Sequence, residues 1–367
     1  MNFPTNYSSI LGLIDSINPI SYAKSRNFID GKVTRLSPYI SRGVISTKQI
    51  FQAILSNGYS KEESFKLIQE LAWRDFYQYT WIQQGDRIFE DLKHPQVDVQ
   101  NFEIPKTLLN ASTGIKAIDK QLNNLFETGY LHNHFRMYTA SLACNFGKSH
   151  WSMPSKWLYY HLLDGDLASN ALSWQWVAGS FSSKKYYFNQ ENLNKYAYSI
   201  QRNTFIDLHY DQIESRNIPQ DLKITSEFIP EKLIFPEPKK LIFLPDSPIL
   251  IYNSYNLDPL WRKEESKNKI LLLEPSQFEK FPISQKVLNF ILALSTNISE
   301  IQIYIGEFHD LNELIKKSIP KPTIIFKEHP LNNHYSGLED PRDWMFPNIS
   351  GKFNSFFQYW RKAEKFL

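Results

Sequence analysis

The chain of 367 residues has one cysteine, Cys144, set in the apolar stretch MYTASLACNF. One thiol makes neither a disulfide framework nor a cysteine metal centre, and a reducing cytoplasm is the expected location. No apolar run reaches membrane-spanning length, and MNFPTNYSSILGLIDSI has no basic region leading into an apolar core, so neither membrane insertion nor secretion is expected. Repeats of solenoid period and low-complexity tracts are also missing. Excess charge is small: 41 Lys and Arg against 38 Asp and Glu leave +3, which does not announce nucleic-acid binding but leaves room for a local basic face. Aromatic surface, in contrast, is abundant at 15% of residues. With 42% hydrophobic and 22% charged residues, this is the composition of a soluble globular protein, long enough for two domains and rich in stacking surface.

The texture changes once along the chain. SRGVISTKQIFQAILSNG and ESFKLIQELAWRDFYQYTWIQ carry apolar residues at three- and four-residue spacing, the mark of amphipathic helices. Residues 1–215 therefore read as a helical domain. Residues 216–240, with prolines at 219, 230, 236 and 238, read as an extended linker. Beyond it, PILIYN, KILLLEP, IQIYIGE and PTIIFKE alternate with helical or polar segments, the rhythm of a parallel sheet with crossovers. Residues 241–367 read as a small α/β domain. The expected fold is mostly α, with the helical domain first.

The densest chemistry lies in DGDLASNALSWQWVAGS, Asp164 to Ser180. Asp164 and Asp166 sit at alternate positions of a polar turn able to point two carboxylates at one ligand, and Trp174 and Trp176 are large rings suited to packing on a flat aromatic group. The same residues also make an Asp-capped helix followed by a pair of core tryptophans.

DGDLASN followed by WQW resembles the flavin-binding segment of the photolyase and cryptochrome family. Tyr22 and Arg26, then TRLSPYISRG, ELAWRDFY, TGIKAID and TGYLHNHFRM, resemble further blocks of that family in the family's order. The resemblance implies FAD as cofactor. It places Tyr22, Val33, Thr34, Arg35, Leu36 and Ser37 at the phosphate and ribityl region, where a helix start suits anions. Val33 stands where a hydroxyl residue is usual. Arg136 and Asp164 resemble the ion pair beside the flavin ring, Asp166 the carboxylate that accepts a ring N–H, and Asn170 the residue opposite the flavin N5.

On the substrate side, Glu70, Trp73, Asn133, Met137 and Trp176 match positions that surround the flipped pyrimidine dimer in cyclobutane-dimer photolyases. Arg26 and Arg74 would contact or position phosphates. The paired-histidine form of HNHFRM seen in enzymes for the other pyrimidine photoproduct is absent, so the cyclobutane dimer is favoured. The implied reaction is light-driven: a reduced flavin lends one electron to the dimer, the ring splits, and the electron returns. Glu70, Asn133, Met137 and Asn170 would carry it. The alternative is a cryptochrome-like blue-light receptor that binds FAD and repairs nothing. The expected partner is damaged DNA, duplex or single-stranded, met by a monomer.

Trp174 and Trp151 match the first two tryptophans of the family's photoreduction chain, with Trp157, Trp81 or a tyrosine as candidates for the third. His132 and His134 lack helical spacing and acidic or thiol neighbours, so no metal site is expected. The family's Phe-Asn-Pro ending reads FNQ here, Phe188 to Gln190, after the basic pair Lys184 and Lys185. ILIYNSYNLDPLW and GKFNSFFQYWRK resemble parts of the family's α/β domain, which in relatives precedes the helical one. The resemblance thus implies a circularly rearranged chain; an unrelated nucleotide-binding-type domain fused behind the helical one is the alternative. No antenna chromophore is assigned.

Overall fold

Helix starts and stops follow local punctuation in the sequence. A computed structural model describes residues 3–214, 216–318 and 322–367. The helices, in chain order, are α1 (Tyr7–Asp15), α2 (Pro19–Ser25), α3 (Ser37–Ser41), α4 (Thr47–Ser56), α5 (Lys61–Gln84), α6 (Lys106–Leu109), α7 (Lys116–Thr128), α8 (Asn133–Ser141), α9 (Ser152–His161), α10 (Leu167–Ala178), α11 (Gln190–Ala197), α12 (Tyr210–Ile213), α13 (Pro275–Lys280), α14 (Gln285–Ser295), α15 (Phe308–Ser318) and α16 (Phe356–Ala363). The strands are β1 (Ile104–Pro105), β2 (Thr225–Ser226), β3 (Ile249–Tyr252), β4 (Asn268–Leu273), β5 (Ile301–Ile305), β6 (Ile324–Lys327) and β7 (Leu338–Asp340).

Ser46 and Gln49 form a reciprocal capping box at the start of α4, satisfying two N–H groups that the helix itself cannot. Asp166 caps α10 by accepting from the Ser169 N–H at 2.7 Å. Gly129 and Gly179, both at positive φ, close α7 and α10. α8 runs on into a π-helical turn, Leu142–Phe146, whose residues are all buried. There the Asn145 amide donates to the carbonyls of Val177 and Tyr186, tying the end of α10 to the chain that follows it.

By contacts the described chain forms two compact units. The first contains Asn18–Val33 and Tyr77–Glu231; the second contains 3–17, Thr34–Phe76 and Lys232–Leu367. The core of the first unit gathers Leu122, Phe135, Tyr138, Trp151, Trp157 and Trp174 from α7 to α10. It also holds the short antiparallel pair β1–β2, so it is helical but for one two-stranded ribbon.

The second unit is built on a five-stranded parallel sheet of order β5-β4-β3-β6-β7. Every residue of β3 and β4 is buried. That explains why their sequences, ILIY and NKILLL, run almost continuously apolar instead of alternating. The four apolar runs read as strands in the sequence are strands β3 to β6. α13 and α14 cross from β4 to β5 and α15 from β5 towards β6.

α1, α3, α4 and the first part of α5 group with this sheet, so the sheet-bearing unit is discontinuous in sequence. Hydrogen bonds between distant segments hold them there. The Tyr7 N–H donates to Asn297 at 2.8 Å, whose amide returns to the Thr5 carbonyl at 2.7 Å. Asp75 on α5 accepts from the Thr47 hydroxyl and from the Met345 N–H, both at 2.9 Å.

Of the segment read as a linker, Gln220–Leu222 is a 3-10 turn and Thr225–Ser226 is β2, while 227–244 has no regular element. Its extended backbone is nevertheless bound. The Gln285 side chain bonds both the N–H and the C=O of Ile234, and Gln302 does the same for Ile242. Each amide stands in for a neighbouring strand. The expected boundary at Ser215 lies outside the described residues.

Gly43, in TRLSPYISRG, has a structural necessity. Its φ is +62°, and a Cβ there would lie 2.2 Å from the Tyr255 carbonyl oxygen. Gly43→Ala combines a left-handed penalty with a backbone clash and is expected to cost at least about 2 kcal/mol, measured as a lowered midpoint of thermal unfolding.

Candidate functional site

In the first unit the turn between α9 and α10 carries the expected carboxylates. Asp164 is buried, and Nη2 of Arg136 reaches both its oxygens, at 3.0 and 2.8 Å. The Arg136 Nε donates to the Leu131 carbonyl at 2.8 Å, so the guanidinium is fixed from two sides. Asp166, also buried, caps α10 with one oxygen and accepts from the Gln78 amide with the other. One turn on, Asn170 donates to the Ser155 carbonyl at 2.9 Å. Beside it the Ser169 hydroxyl is buried without a hydrogen-bond partner. Arg136, Asp164, Asp166 and Asn170 are therefore held by α8, by the turn and by the first turn of α10. Sequence reasoning missed the partners Gln78 and Ser155, which carry no local signal.

The remaining expected residues of this unit surround that turn in sequence but differ in exposure. Asn133 is exposed at the start of α8, and Met137, one turn later, is half-buried against the core. Trp176 is 37% exposed, with its ring 6.1 Å from that of Tyr186. Tyr22 and Arg26 lie half-buried on and just after α2, the Arg26 Nη1 donating to the Ala23 carbonyl at 3.3 Å. Val33 is half-buried in the loop beyond. His132 accepts from the His134 N–H through Nδ1. Burial and the nearby charge of Arg26 push the His134 imidazole down to about 4, which keeps it neutral.

Trp174 and Trp151 are both buried in the core of this unit. The Trp151 indole N–H donates to Asp91 at 2.7 Å. His150 lies against the Trp151 ring, and Phe102, 65% exposed, stacks on His150 at 5.1 Å. Trp157 and Trp81 are each 1% exposed, so neither supplies a surface member of an electron relay.

In the second unit, Thr34, Arg35, Leu36 and Ser37 lead into α3, a helix of five residues whose N-cap, Leu36, makes no side-chain capping bond. The Thr34 hydroxyl accepts from the Leu36 N–H at 3.5 Å. Arg35 is exposed and holds a φ of +55°. On α5, Glu70 pairs with Lys66 at 3.0 Å, and Arg74 donates to the Ser41 hydroxyl. Trp73 is stacked face to face on Phe356 of α16, with ring centroids 3.8 Å apart and planes 10° from parallel. One face of that indole is thus covered by the chain itself, a contact over 283 residues of sequence that no local pattern reveals.

Residues 67–216 match the family model described as the FAD binding domain of DNA photolyase. A deoxyribodipyrimidine photo-lyase of Alkalihalophilus pseudofirmus is 30% identical over 178 residues, 46% of this chain and 36% of that protein. A photo-lyase of the same name from Synechococcus sp. is 34% identical over 43% of this chain and 35% of that protein, and a cryptochrome DASH of Gloeobacter violaceus is 29% identical over 43% and 33%. The chain thus spans about a third of the length of these curated relatives. Among solved structures, a Synechocystis cryptochrome aligns with TM-score 0.48 and 23% identity, covering 53% of this chain and 44% of that one.

The cofactor of such a domain is FAD, and the donor set of the first unit suits it. It offers a fixed cation at Arg136 and a buried carboxylate at Asp166. It adds an amide at Asn170 and, at Ser169, a buried hydroxyl still in need of a partner. Residues 67–216 are thus similar to the FAD binding domain of DNA photolyase, and the relatives named are photolyases and cryptochromes.

Proposed function

We propose that this protein repairs cyclobutane pyrimidine dimers in DNA under light. One observation carries the reading: inside the family match, Arg136 is clamped on the buried carboxylate of Asp164, with Asp166 and Asn170 fixed in the same turn and helix start. FAD, when bound, supplies the light-driven electron that opens the dimer and recovers it afterwards. Tyr22, Val33, Thr34, Arg35, Leu36, Ser37, Arg136, Asp164, Asp166 and Asn170 hold it. The Asn170 amide can donate or accept at one place, so it tolerates more than one charge state of its neighbour. Arg26 and Arg74 position phosphates; Trp73, Asn133, Met137 and Trp176 take the unstacked bases; Glu70 accepts from a base edge. Trp174 and Trp151 pass electrons inward. The protein acts as a monomer, and its parallel sheet follows the FAD-binding segment in the chain, the reverse of the family's order.

The present partner of Glu70 supports its role. Its i,i+4 ion pair with Lys66, both side chains about one-third exposed, is worth only about 0.3–0.5 kcal/mol, so that contact is given up at little cost. Glu70→Ala is expected to lower light-dependent repair by about 10- to 100-fold, the loss of one hydrogen bond to a buried ligand group, while leaving the flavin content of the purified protein unchanged. Repair of a dimer-bearing oligonucleotide and flavin absorbance per protein are the two readouts. Loss of flavin with unchanged repair per flavin would overturn the assignment.

A second reading, a blue-light flavoprotein without repair, has its own support in the Trp73 and Phe356 stack. A ring packed at 3.8 Å on Phe356 has that face taken by the chain itself and not by a base.

A further inference from the structure

A stacked aromatic pair in the first unit, one ring exposed and one half-buried, lies outside every residue assigned so far. Tyr198 ends α11 in the left-handed region, with φ 51° and ψ 42°. That conformation suits glycine and is an outlier for a bulky residue. The side chain that causes the strain is not used to fill the core: it is 63% exposed. Instead the ring is held ready. Phe28 stacks behind it, with centroids 5.5 Å apart and planes at 19°, and the Asp30 carboxylate lies near its hydroxyl. Phe28 is itself braced edge-on by Tyr196 at 5.2 Å, and the Ile29 N–H donates to the Tyr196 carbonyl at 2.9 Å. Tyr196 in turn lies 4.8 Å from His134, the neighbour of Asn133 on α8. A strained backbone that presents one rigid aromatic face to solvent is better explained by a ligand than by packing.

The charge around the pair states which ligand. The segments 22–32 and 190–204 carry Lys24, Arg26, Lys32, Lys195 and Arg202 against Asp30 and Glu191. Five cations and two anions give these two segments an excess of positive charge on a chain whose total charge is only +3. A flat exposed ring on a segment rich in cations suits single-stranded nucleic acid, the base on the ring and the phosphates on the cations. A protein partner would call for a contiguous apolar patch, and here only Ile200, 93% exposed, stands beside the ring in sequence.

We propose that Tyr198, backed by Phe28, is a stacking platform for an unpaired nucleobase, with Lys195 and Arg202 among the phosphate contacts. The proposal rests on the reading of DNA as the partner and adds to it a base position away from the dimer. A lesion-free strand therefore suffices to test it, and no flavin chemistry enters.

Tyr198→Gly removes the ring while keeping a residue at ease at positive φ, and Tyr198→Phe keeps the ring. Binding of a fluorescently labelled oligothymidylate is measured by anisotropy over a range of salt. Tyr198→Gly is expected to weaken binding about tenfold without changing the salt slope, because it removes no charge, and Tyr198→Phe is expected to bind within about twofold of the parent. A Lys195→Ala, Arg202→Ala double variant is expected to lower the slope of log K against log salt by about 1.4. Equal affinity of Tyr198→Gly and the parent would overturn the platform while leaving the repair reading intact. Tyr198→Phe as weak as Tyr198→Gly would overturn stacking as the mode. A parent protein that does not bind the strand at any salt would overturn the platform, and repair of a dimer-bearing duplex by that same protein would show that the failure is confined to it.

Discussion

Asp164→Ala is expected to yield folded protein that purifies without flavin. The two members of the Arg136 and Asp164 pair are unequally buried, their side chains 24% and 3% exposed. Removing the carboxylate leaves a guanidinium that still donates to the Leu131 carbonyl and can turn its free nitrogens to water. The fold then loses about 1–3 kcal/mol, below the full cost of orphaning a buried charge. The opposite change, Arg136→Ala, leaves the carboxylate buried without its cation and is expected to destabilise by about 3–5 kcal/mol. For the cofactor the order is different. On the proposed assignment Asp164 fixes a cation beside the flavin, and its loss is expected to weaken FAD binding by about 100-fold or more, a charge-assisted contact at a buried site. Flavin absorbance per protein after gel filtration and the midpoint of thermal unfolding separate the two effects. Asp164→Asn, which keeps one acceptor oxygen, should fall between.

The second large effect concerns pH. Burial pushes the Asp75 carboxyl up to about 6 from an ordinary 3.8, despite bonds from the Met345 N–H and the Thr47 hydroxyl and the positive fields of Arg342 and Arg74. Between those two values the folded chain holds a proton that the unfolded chain has released. The contribution of this group to stability is therefore largest below about pH 4 and declines by about 3 kcal/mol as the pH rises through 6. Asp340 works in the other direction. Its hydrogen bond from Arg262 lowers its pKa, so its contribution is present above the ordinary carboxylate range and is lost on acidification. Denaturant unfolding at about pH 5 and pH 7 is expected to show the Asp75 decline. Asp75→Asn should flatten it, since the amide oxygen can accept from the Met345 N–H while the amide NH2 donates to the Thr47 hydroxyl.

Asp75 also shows where sequence reading stops. It stands in ELAWRD, next to residues whose family resemblance was legible, yet its partners are Thr47 and Met345, 28 and 270 residues away. Local patterns carry the helices, since Ser46, Asp166, Gly129 and Gly179 are caps written into the chain at their own positions. They also carry the strands, because a sheet covered on both faces leaves continuous apolar runs. Nothing in ILGLID or QIFQAIL says that these helices join the sheet, because an apolar stripe specifies that a face is buried and not against what. The same limit applies to Trp73. The sequence marks a tryptophan one turn from Glu70; only the structure shows Phe356 lying on it.

In the site, residue types at fixed spacing were legible and their support was not. DGD followed by ASN brings two carboxylates and an amide to one turn. The bonds that aim them, from Gln78 to Asp166 and from Asn170 to Ser155, join separate helices. The proposed electron relay divides in the same way. Trp174 and Trp151 were readable, whereas Asp91 on the Trp151 indole and the His150 and Phe102 pair beyond it depend on how the loops fold back.

The most direct measurement is thymine recovery from an oligonucleotide carrying one cyclobutane thymine dimer, using purified, FAD-loaded and chemically reduced protein under blue light, with a dark control. Light-dependent restoration of the two thymines is the expected result. A protein that holds flavin and responds to light but restores none would contradict the repair assignment and make the photoreceptor reading the better account.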